Sequence, residues 1–302
     1  MATIEAKERS PARALLSAMR LHHWVKNGLI VIAPAAAGTL LHASVALHTV
    51  IAFLAFCCVA SGTYLLNDVR DVEADREHPT KRFRSLAQAQ LSPKTAVTAA
   101  LVLFLVGFGV TFAIPRPGEL LLVVALYVVI TLAYIYWLKN VAIIELGAVA
   151  SGFFLRAYAG AAASHLFVST WFLVVISFGA LFLVVGKRAS ELEHVGPGST
   201  RAVLSQYTTE FLSSALTLCA TAVVTGYCLW AFDTTTHGLS ANLDATFPVR
   251  LSVVPVVFAV LFILRSAQAG DGAAPEELLL RDRTVQILLL VWVVLLLFGV
   301  YE

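Results

Sequence analysis

The sequence predicts an all-α, polytopic membrane protein with nine spanning helices and a cytoplasmic N-terminus. Three observations predict this class: an apolar composition, long apolar windows that recur along the chain, and basic residues confined almost entirely to alternate connecting segments. Of the 302 residues, 59% are hydrophobic and 13% are charged, whereas a soluble domain averages about 25% charged residues. This composition excludes an ordinary cytosolic globular protein and a disordered chain.

The charge balance and the cysteines exclude two further classes. A formal net charge of +2 is too small for a protein that binds nucleic acid through bulk charge, so we expect no nucleic-acid partner. The four cysteines lie inside apolar runs without metal-ligand spacing, and we interpret them as small core residues. They are Cys57, Cys58, Cys219 and Cys228.

Nine windows of the chain are long and apolar enough to span a bilayer, which takes about 20 residues per helix. The runs are too long for strands and lack the alternation of a membrane barrel. We therefore expect one transmembrane domain over 1–302, with cytosolic segments at 67–93 and 187–207. The windows lie near 25–43, 47–66, 94–114, 119–137, 141–163, 168–186, 209–231, 249–266 and 284–301.

The distribution of basic residues sets the predicted orientation. With the N-terminus inside, 18 of the 21 Lys and Arg residues fall on inner segments. Only Arg116 and Arg250 fall outside, and Arg156 lies within a span, as the positive-inside rule predicts. The small residues at 35–38 would also fit a cleaved signal, but the basic start is long for one and the charge asymmetry holds with the segment retained.

A dense acidic face follows the second apolar window. Its first turns should continue that helix, because the polar run begins directly after 64–66. Four residues then share one arc of about 100°: Asn67, Asp68, Asp71 and Asp75. Such carboxylates repel one another unless a hard divalent cation lies between them, and carboxylate-bound Mg²⁺ normally carries a phosphorylated substrate. The alternative is a solvated helix end whose carboxylates pair with Arg70 and Arg76.

A basic loop follows the acidic face. Pro79 should end the helix, and Lys81, Arg82 and Arg84 follow it within a few residues. We interpret these three cations as a phosphate clamp that faces the metal site. Positive-inside topology or attraction to anionic lipid would also explain such a run.

These residues resemble a known family. The Asn67-Asp68-x-x-Asp71-x-x-x-Asp75 pattern is similar to the first signature of the UbiA superfamily of intramembrane prenyltransferases. The longer string NDVRDVEADREHPTKRFR is similar to its decaprenyl-phosphate phosphoribosyltransferase branch. Three shorter elements support that branch. They run from Arg20 through Trp24 to Lys26 and Asn27, from Tyr136 to Lys139 with Glu145, and from Val185 through Lys187 and Arg188 to Glu191 and Leu192.

The resemblance implies a nine-helix bundle of UbiA type in the plasma membrane, with its active site on the cytoplasmic side. It implies a glycosyltransferase that moves 5-phosphoribose from 5-phosphoribosyl diphosphate to a polyprenyl (decaprenyl) phosphate and releases diphosphate, for the synthesis of cell-wall arabinan precursors. Mg²⁺ would be held by Asn67, Asp68, Asp71 and Asp75, and the three aspartates would be catalytic. The implied substrate contacts are Lys26, Asn27, Asn67, Arg76, Lys81, Arg82, Arg84, Lys139, Glu145, Lys187, Arg188 and Glu191.

Two other functions remain open. One is a prenyltransferase that moves an isoprenoid from its diphosphate to an aromatic acceptor, but such enzymes carry a second Asp-rich motif. Here that position reads Lys187-Arg188-Ala189-Ser190-Glu191, without aspartate, which favours two anionic substrates. The other is a transporter of an anionic lipid, which would need an internal repeat or charged broken helices at the midplane. The sequence shows no clear repeat.

Some residues depart from the family pattern or lie outside it. Ser85 stands where a proline is expected, 88–90 lacks an expected glycine, and Ala189 replaces an aromatic residue. Within the fifth window, we expect Glu145 to reach the cleft and Arg156 to stabilise the structure by capping helix ends, because intramembrane charges are costly and are usually functional or paired. Surfaces rich in Gly and Ala permit a homo-oligomer.

Overall fold

A computed structural model describes residues 10–195, 202–233, 243–268 and 282–301. These residues form helices and their connections, with no strand among them. The α-helices are α1 (Pro11–Ala18), α2 (Ile32–Ala36), α3 (Ala43–Arg70), α4 (Val72–Glu77), α5 (Pro93–Thr111), α6 (Gly118–Tyr136), α7 (Ile144–Ser164), α8 (Thr170–Val195), α9 (Thr209–Phe232), α10 (Leu243–Leu251), α11 (Val253–Gln268) and α12 (Arg283–Tyr301). The 3₁₀ helices lie at Leu21–Val31, Lys81–Phe83, Leu138–Asn140 and Ala202–Gln206.

The helix ends follow local capping chemistry. The Ser92 hydroxyl accepts a hydrogen bond from the Thr95 N–H at 3.1 Å, and Pro93 occupies the first turn of α5. The Thr208 hydroxyl accepts one from the Phe211 N–H at 3.1 Å at the start of α9. These side chains satisfy backbone donors that the first turn of a helix leaves open.

Eight of the nine predicted spans are confirmed as helices long and apolar enough to cross a membrane. They are α3, α5, α6, α7, the Thr170–Glu193 part of α8, α9, the Phe247–Gln268 stretch of α10 and α11, and α12. The four cysteines, all free, lie within α3 and α9, in accordance with their apolar surroundings in the sequence. The chain is therefore a multi-pass membrane protein.

The first predicted span, 25–43, is not one long helix. The 3₁₀ helix Leu21–Val31 leads into α2, which is only five residues long and contains Pro34. Typical rises of about 2.0 Å per 3₁₀ residue and about 1.5 Å per α-helical residue give these 16 residues a length of roughly 30 Å, close to the thickness of a hydrocarbon core. Nine crossings and a cytoplasmic N-terminus stay predictions, and some of the counted cations, Lys7 and Arg201 among them, lie outside the described residues.

Helix α7 lies between two packed groups of helices. Its Leu155 and Ala159 pack with residues of α3 and α6, and its Leu146 and Ala150 pack with residues of α8 and α9. Gly160 allows the 3₁₀ segment to touch α7 directly, because a Cβ atom there would lie 2.0 Å from the Ile30 carbonyl oxygen. Small residues at such positions let membrane helices approach closely.

The predicted inner segments meet at one end of the bundle. The end of α3 contacts the α6–α7 connection through Asp71 and Lys139. The start of α7 contacts α8 through Glu145 and Arg188, and Tyr207, just before α9, contacts Ile143. Three of the polar segments that the sequence assigned to a single side of the membrane are therefore in contact through these side chains.

Candidate functional site

The acidic residues at the end of α3 keep their helical register across a break. Helix α3 ends at Arg70, and Asp71 departs from helical geometry with φ −99° and ψ 8° before α4 begins. The Asp71 N–H still donates to the Asn67 carbonyl at 3.0 Å, and the Asp75 N–H donates to the Asp71 carbonyl at 2.8 Å. The prediction that the polar run continues the helix is confirmed as far as this break.

Asp68 and Asp75 form a buried pair of carboxylates. They are 2% and 4% exposed, respectively. Arg84 Nη1 lies 2.6 Å from Asp75 Oδ2 and 3.3 Å from Asp68 Oδ1, and Arg20 forms a second ion pair with Asp68. Because one guanidinium nitrogen contacts both carboxylates, the two acids lie side by side.

Asp71 has a different partner. Its Oδ1 lies 2.6 Å from Lys139 Nζ, across a sequence separation of 68 residues. Asn67 is partly buried one turn before Asp71. The four residues of the predicted acidic face therefore lie at one helix end, but their carboxylates divide between a buried pair and a partly exposed ion pair.

A cavity of about 420 Å³ opens beside Asp68. Three cationic side chains, Arg20, Lys81 and Arg84, line it together with Asp68 and His23. Its remaining lining residues are Ser17, Ala18, His22, Thr80, Phe83 and Ser85. A cleft lined by several cations and hydroxyl groups can bind phosphate groups through charge-assisted hydrogen bonds.

His23 is held neutral in the wall of this cavity. Its pKa is lowered to about 4, first by burial and then by the positive charges of Lys26, Arg20 and Lys187 together with His22. At neutral pH the ring therefore carries no charge and can both donate and accept a hydrogen bond. Lys26 and Lys187 act on His23 by charge, although neither residue lines the cavity.

Arg20 is the main site residue absent from the predicted contacts, although it begins the first short family element, which runs from Arg20 to Asn27. Its backbone is left-handed, with φ 53° and ψ 53°, a conformation that costs energy in a residue with a side chain. The guanidinium also lies 5.1 Å from the centre of the Tyr64 ring. A strained backbone that places a charge beside Asp68 indicates a functional constraint.

The basic loop divides into two faces. Helix α4 ends before Pro79 as predicted, since His78 is extended with φ −78° and ψ 135°. Lys81 and Arg84 line the cavity, while Arg82 is exposed and lies 5.0 Å from the Phe83 ring centre. Two of the three predicted clamp residues therefore reach the cavity.

Arg70 and Arg76 do not neutralise the predicted acidic face. Arg76 pairs with the exposed Glu73 at 2.8 Å, and Arg70 lies 6.0 Å from the Tyr136 ring centre. The aspartates pair instead with cations from distant segments. The alternative of a helix end neutralised by its own arginines is therefore wrong for the three aspartates, and Arg76 lies away from the cavity.

The loop at 85–90, which departs from the family pattern, forms a turn in which alanine occupies the position usual for glycine. The Gln90 N–H donates to the Ser85 carbonyl at 2.9 Å and the Ala89 N–H donates to the Leu86 carbonyl at 3.0 Å, the bonding of a Schellman motif. Ala89 has φ 57° at the left-handed position, where glycine is usual. The chain therefore keeps the turn and accepts strain at Ala89, while Ser85 is buried beneath it.

Glu145 and Arg188 form a buried ion pair with two hydrogen bonds. Arg188 Nε donates to Glu145 Oε1 at 2.7 Å and Nη2 donates to Oε2 at 2.8 Å. Arg188 also contacts Glu191 at 2.9 Å. Glu145 is fully buried and Arg188 is 2% exposed, so these two predicted substrate contacts bind each other across α7 and α8, away from the cavity beside Asp68.

Asn27 and Arg156 form a second buried polar connection. Arg156 Nε donates to Asn27 Oδ1 at 2.7 Å, and its other nitrogens donate to the Gly152 carbonyl at 2.7 Å and the Tyr127 hydroxyl at 2.8 Å. Asn27 Nδ2 lies 3.2 Å from Cys57 Sγ. Arg156 thus connects elements of the fold, as a structural residue would, but it bonds a carbonyl in the middle of α7 and not a helix end as predicted. Asn27, predicted as a substrate contact, links the 3₁₀ segment to α3 and α7.

The acidic side chains supply the kind of oxygen ligand that a divalent cation prefers. Mg²⁺ prefers oxygen ligands and is usually held by one or two carboxylates together with substrate phosphates, and Asp68 and Asp75 supply two adjacent carboxylates. Within the parts of the chain that the structure describes, no three His, Cys, Asp or Glu side chains form a cluster able to hold a metal ion on their own. The donor set therefore suits a metal that is completed by phosphate oxygens.

Comparisons with known proteins identify the family of the chain. A model of the UbiA prenyltransferase family matches residues 31–281. The decaprenyl-phosphate phosphoribosyltransferase of Corynebacterium glutamicum is 40% identical over 98% of this chain and 90% of its own. The protein of the same name from Mycobacterium tuberculosis is 40% identical over 92% of this chain and 91% of its own.

Solved structures share the fold. A UbiA homolog from Archaeoglobus fulgidus bound to DMAPP and Mg²⁺ aligns with a TM-score of 0.71 at 14% identity, covering 94% of this chain and 97% of that one. A digeranylgeranylglyceryl phosphate synthase aligns with a TM-score of 0.69 at 12% identity, covering 96% and 99%. The chain is thus a membrane-embedded transferase that belongs to the UbiA prenyltransferase family.

Proposed function

We propose that this protein transfers 5-phosphoribose from 5-phosphoribosyl diphosphate to a polyprenyl (decaprenyl) phosphate and releases diphosphate. The observation that carries the proposal is the cavity beside Asp68, which is lined by three cationic side chains and by one carboxylate of a buried pair. The names of the relatives that are 40% identical over nearly the whole chain support the same reaction.

The proposed reaction exchanges one bond for another at the anomeric carbon. A phosphate oxygen of the lipid forms a bond to that carbon, and the bond from the carbon to the diphosphate oxygen breaks, with the electron pair leaving on diphosphate. Because the lipid phosphate is already an anion, it needs orientation more than a general base. The transition state gains positive charge at the ribose, which nearby carboxylates stabilise.

Each charged side chain of the site then has a proposed role. Arg20, Lys81 and Arg84 bind phosphate oxygens in the cavity, and Lys26 and Lys187 add positive charge that acts on His23 in its wall. Mg²⁺ would neutralise the diphosphate as it leaves, and Asp68 and Asp75 would hold it, with Asn67 and Asp71 beside them. Arg20 and Arg84 neutralise the two buried acids in the structure described here, so substrate phosphate and metal would exchange with these ion pairs.

The proposed location is the cytoplasmic face of the plasma membrane. The segments that form the site carry most of the basic residues of the chain, which the positive-inside rule places in the cytoplasm. A soluble sugar phosphate donor would enter from that side, and the lipid acceptor from the bilayer. The product would then serve as a lipid-linked pentose precursor for cell-wall arabinan.

Isoprenoid transfer to an aromatic acceptor is the second candidate, because the fold is shared with a UbiA homolog solved with DMAPP and Mg²⁺. That reaction, as the sequence analysis set out, uses a second Asp-rich motif. In this chain the corresponding stretch of α8 places Arg188 in a buried pair with Glu145. The phosphoribosyl reaction is therefore the better match.

The test uses the purified protein in lipid nanodiscs with Mg²⁺. One reaction contains labelled 5-phosphoribosyl diphosphate and decaprenyl phosphate, and the other contains a labelled prenyl diphosphate and an aromatic acid. We expect lipid-linked label in the first only. Label in the second only, or in neither reaction, would overturn the proposal.

Two variants connect this activity to the site. Asp68→Asn should lower the rate by on the order of a hundredfold, because it removes a charge from the proposed metal and transition-state environment. Glu73→Gln is the matched control, since Glu73 lies two residues before Asp75, the buried partner of Arg84, but has an 80% exposed side chain. Equal rates for both variants would show that the acidic face does not take part.

A further inference from the structure

The connection between α6 and α7 contains a strained turn at Ile143. Its backbone has φ 67° and ψ −48°, and the Ile144 N–H donates to the Ala142 carbonyl at 2.7 Å. This is the geometry of a γ-turn with positive φ, which is rare and strained. A β-branched residue avoids this region even more strongly than other residues do.

A tyrosine from another connection holds this turn in place. The Ile143 N–H donates to the Tyr207 hydroxyl at 2.8 Å. That hydroxyl in turn donates a hydrogen bond to Glu145 Oε1 at 3.4 Å. Tyr207 is 6% exposed, and burial raises its pKa, so the hydroxyl keeps the proton that it donates.

The same connection makes a second contact with the α6–α7 loop. Gln206 Nε2 donates to the Asn140 carbonyl at 3.2 Å. Consecutive residues before α9 therefore bind both ends of the short segment 140–143. Glu145, the acceptor of the Tyr207 hydroxyl, is itself fixed by its two bonds to Arg188, so the support is rigid.

The segment held in this way carries Lys139, whose ammonium lies 2.6 Å from Asp71. Lys139 belongs to the 3₁₀ turn Leu138–Asn140, which precedes the strained residue by only three positions. A change in the Ile143 turn would therefore move the backbone of Lys139 relative to α3. Tyr207 and Lys139 together therefore link the α8–α9 connection to the acidic end of α3 through the α6–α7 connection.

We propose that Tyr207 is a positioning residue of this transferase, which fixes the Ile143 turn and thereby places Lys139 against Asp71. Tyr207 reaches the Asp-rich site only through the loop that it holds. The inference rests on the proposed function, because it assigns Asp71 to the reacting site. It predicts energetic coupling between two positions in different connections, Tyr207 and Lys139.

The first test is a double-mutant cycle on the activity of the protein in nanodiscs. Tyr207→Phe should lower kcat/KM on the order of fivefold to tenfold, the effect of one lost hydrogen bond. In a Lys139→Met background the same change should cost less than about twofold, because the residue that it positions is gone. An undiminished effect in that background would overturn the proposal.

The second test does not depend on activity. The rate at which an amine-reactive reagent modifies Lys139, followed by mass spectrometry, should rise in Tyr207→Phe because the contact with Asp71 loosens. An unchanged rate would overturn the proposal even if no transfer is detected in any variant. If the rate rises while the wild type makes no phosphoribosyl lipid, the positioning role stands and the proposed function fails.

Two variants separate positioning from general stability. Tyr227→Phe also removes a buried tyrosine hydroxyl, one bonded to Ser252 and Trp292, and it should leave both kcat/KM and Lys139 modification unchanged. Ile143→Gly added to Tyr207→Phe should restore part of the activity, since glycine adopts positive φ without strain. Loss of activity in Tyr227→Phe, or no recovery with Ile143→Gly, would show that Tyr207 acts through stability alone.

Discussion

Arg84 is the residue on which the charge balance of the acidic site depends most. It bridges Asp68 and Asp75, whose side chains are 3% and 5% exposed, while its own side chain is 27% exposed. Replacement by methionine keeps much of the apolar stem but removes the guanidinium. Asp75 then stays buried without the ion pair, and Asp68 retains Arg20.

The expected loss in the free energy of unfolding on Arg84→Met lies between the values for an exposed and a fully buried ion pair. An exposed ion pair contributes about 0–1 kcal/mol, and removing one partner of a fully buried pair costs about 3–5 kcal/mol. Because the acids are buried and the arginine is partly exposed, we expect Arg84→Met to lower the free energy of unfolding by about 2 kcal/mol. Arg84→Met combined with Asp75→Asn should regain about 1 kcal/mol, since the unpaired buried charge is gone.

The assay is reversible unfolding of the purified protein in mixed detergent micelles. Arg76→Met is the matched control, because Arg76 pairs with Glu73 where the two side chains are 47% and 80% exposed. The control should cost no more than about 0.5 kcal/mol. If Arg84→Met costs as little as the control, or if the double variant is less stable than the single one, Arg84 does not neutralise the buried acids.

Three further changes test other parts of the structure. Ala89→Gly should raise the free energy of unfolding by about 0.5–1 kcal/mol, because it relieves the left-handed strain but adds chain entropy to the unfolded state. Gly160→Ala should lower it by at least about 2 kcal/mol, since the new methyl group would overlap a carbonyl oxygen. The pKa of His23 is about 4 in the folded protein against 6.5 for the ordinary group. The unfolded chain therefore binds the extra proton first, so stability should fall as the pH drops from about 6.5 to about 4, and His23→Gln should reduce that dependence.

Each of these changes has its own control. Ala87→Gly, in the same loop but without positive φ, should not stabilise the protein. Gly147→Ala, in the same helix as Gly160 but with nothing within 4 Å of the new methyl group, should be neutral or slightly stabilising. Unfolding at pH 7 and pH 5 measures the histidine effect, and an equal loss of stability in wild type and His23→Gln would assign it to another group.

The sequence by itself determined the features that depend on short segments. A run of about 20 apolar residues must form a helix in a bilayer, because no water is present to bond its backbone groups. For the same reason eight of nine predicted spans are long helices, and Pro79 ends α4 where proline chemistry requires. The helical period also placed Asp68 and Asp75 on one face, since only local geometry sets that relation.

Only the tertiary structure decided which polar and charged side chains pair with each other. Arg20 pairs with Asp68 across 48 residues, Lys139 with Asp71 across 68, and Arg156 with Asn27 across 129. No local pattern encodes these distances, because the packing of the helices sets them. The first predicted span is likewise a 3₁₀ segment followed by the short helix α2, and both lie against Gly160 of α7. Composition and period fix each helix, but only packing fixes the partners of its polar side chains.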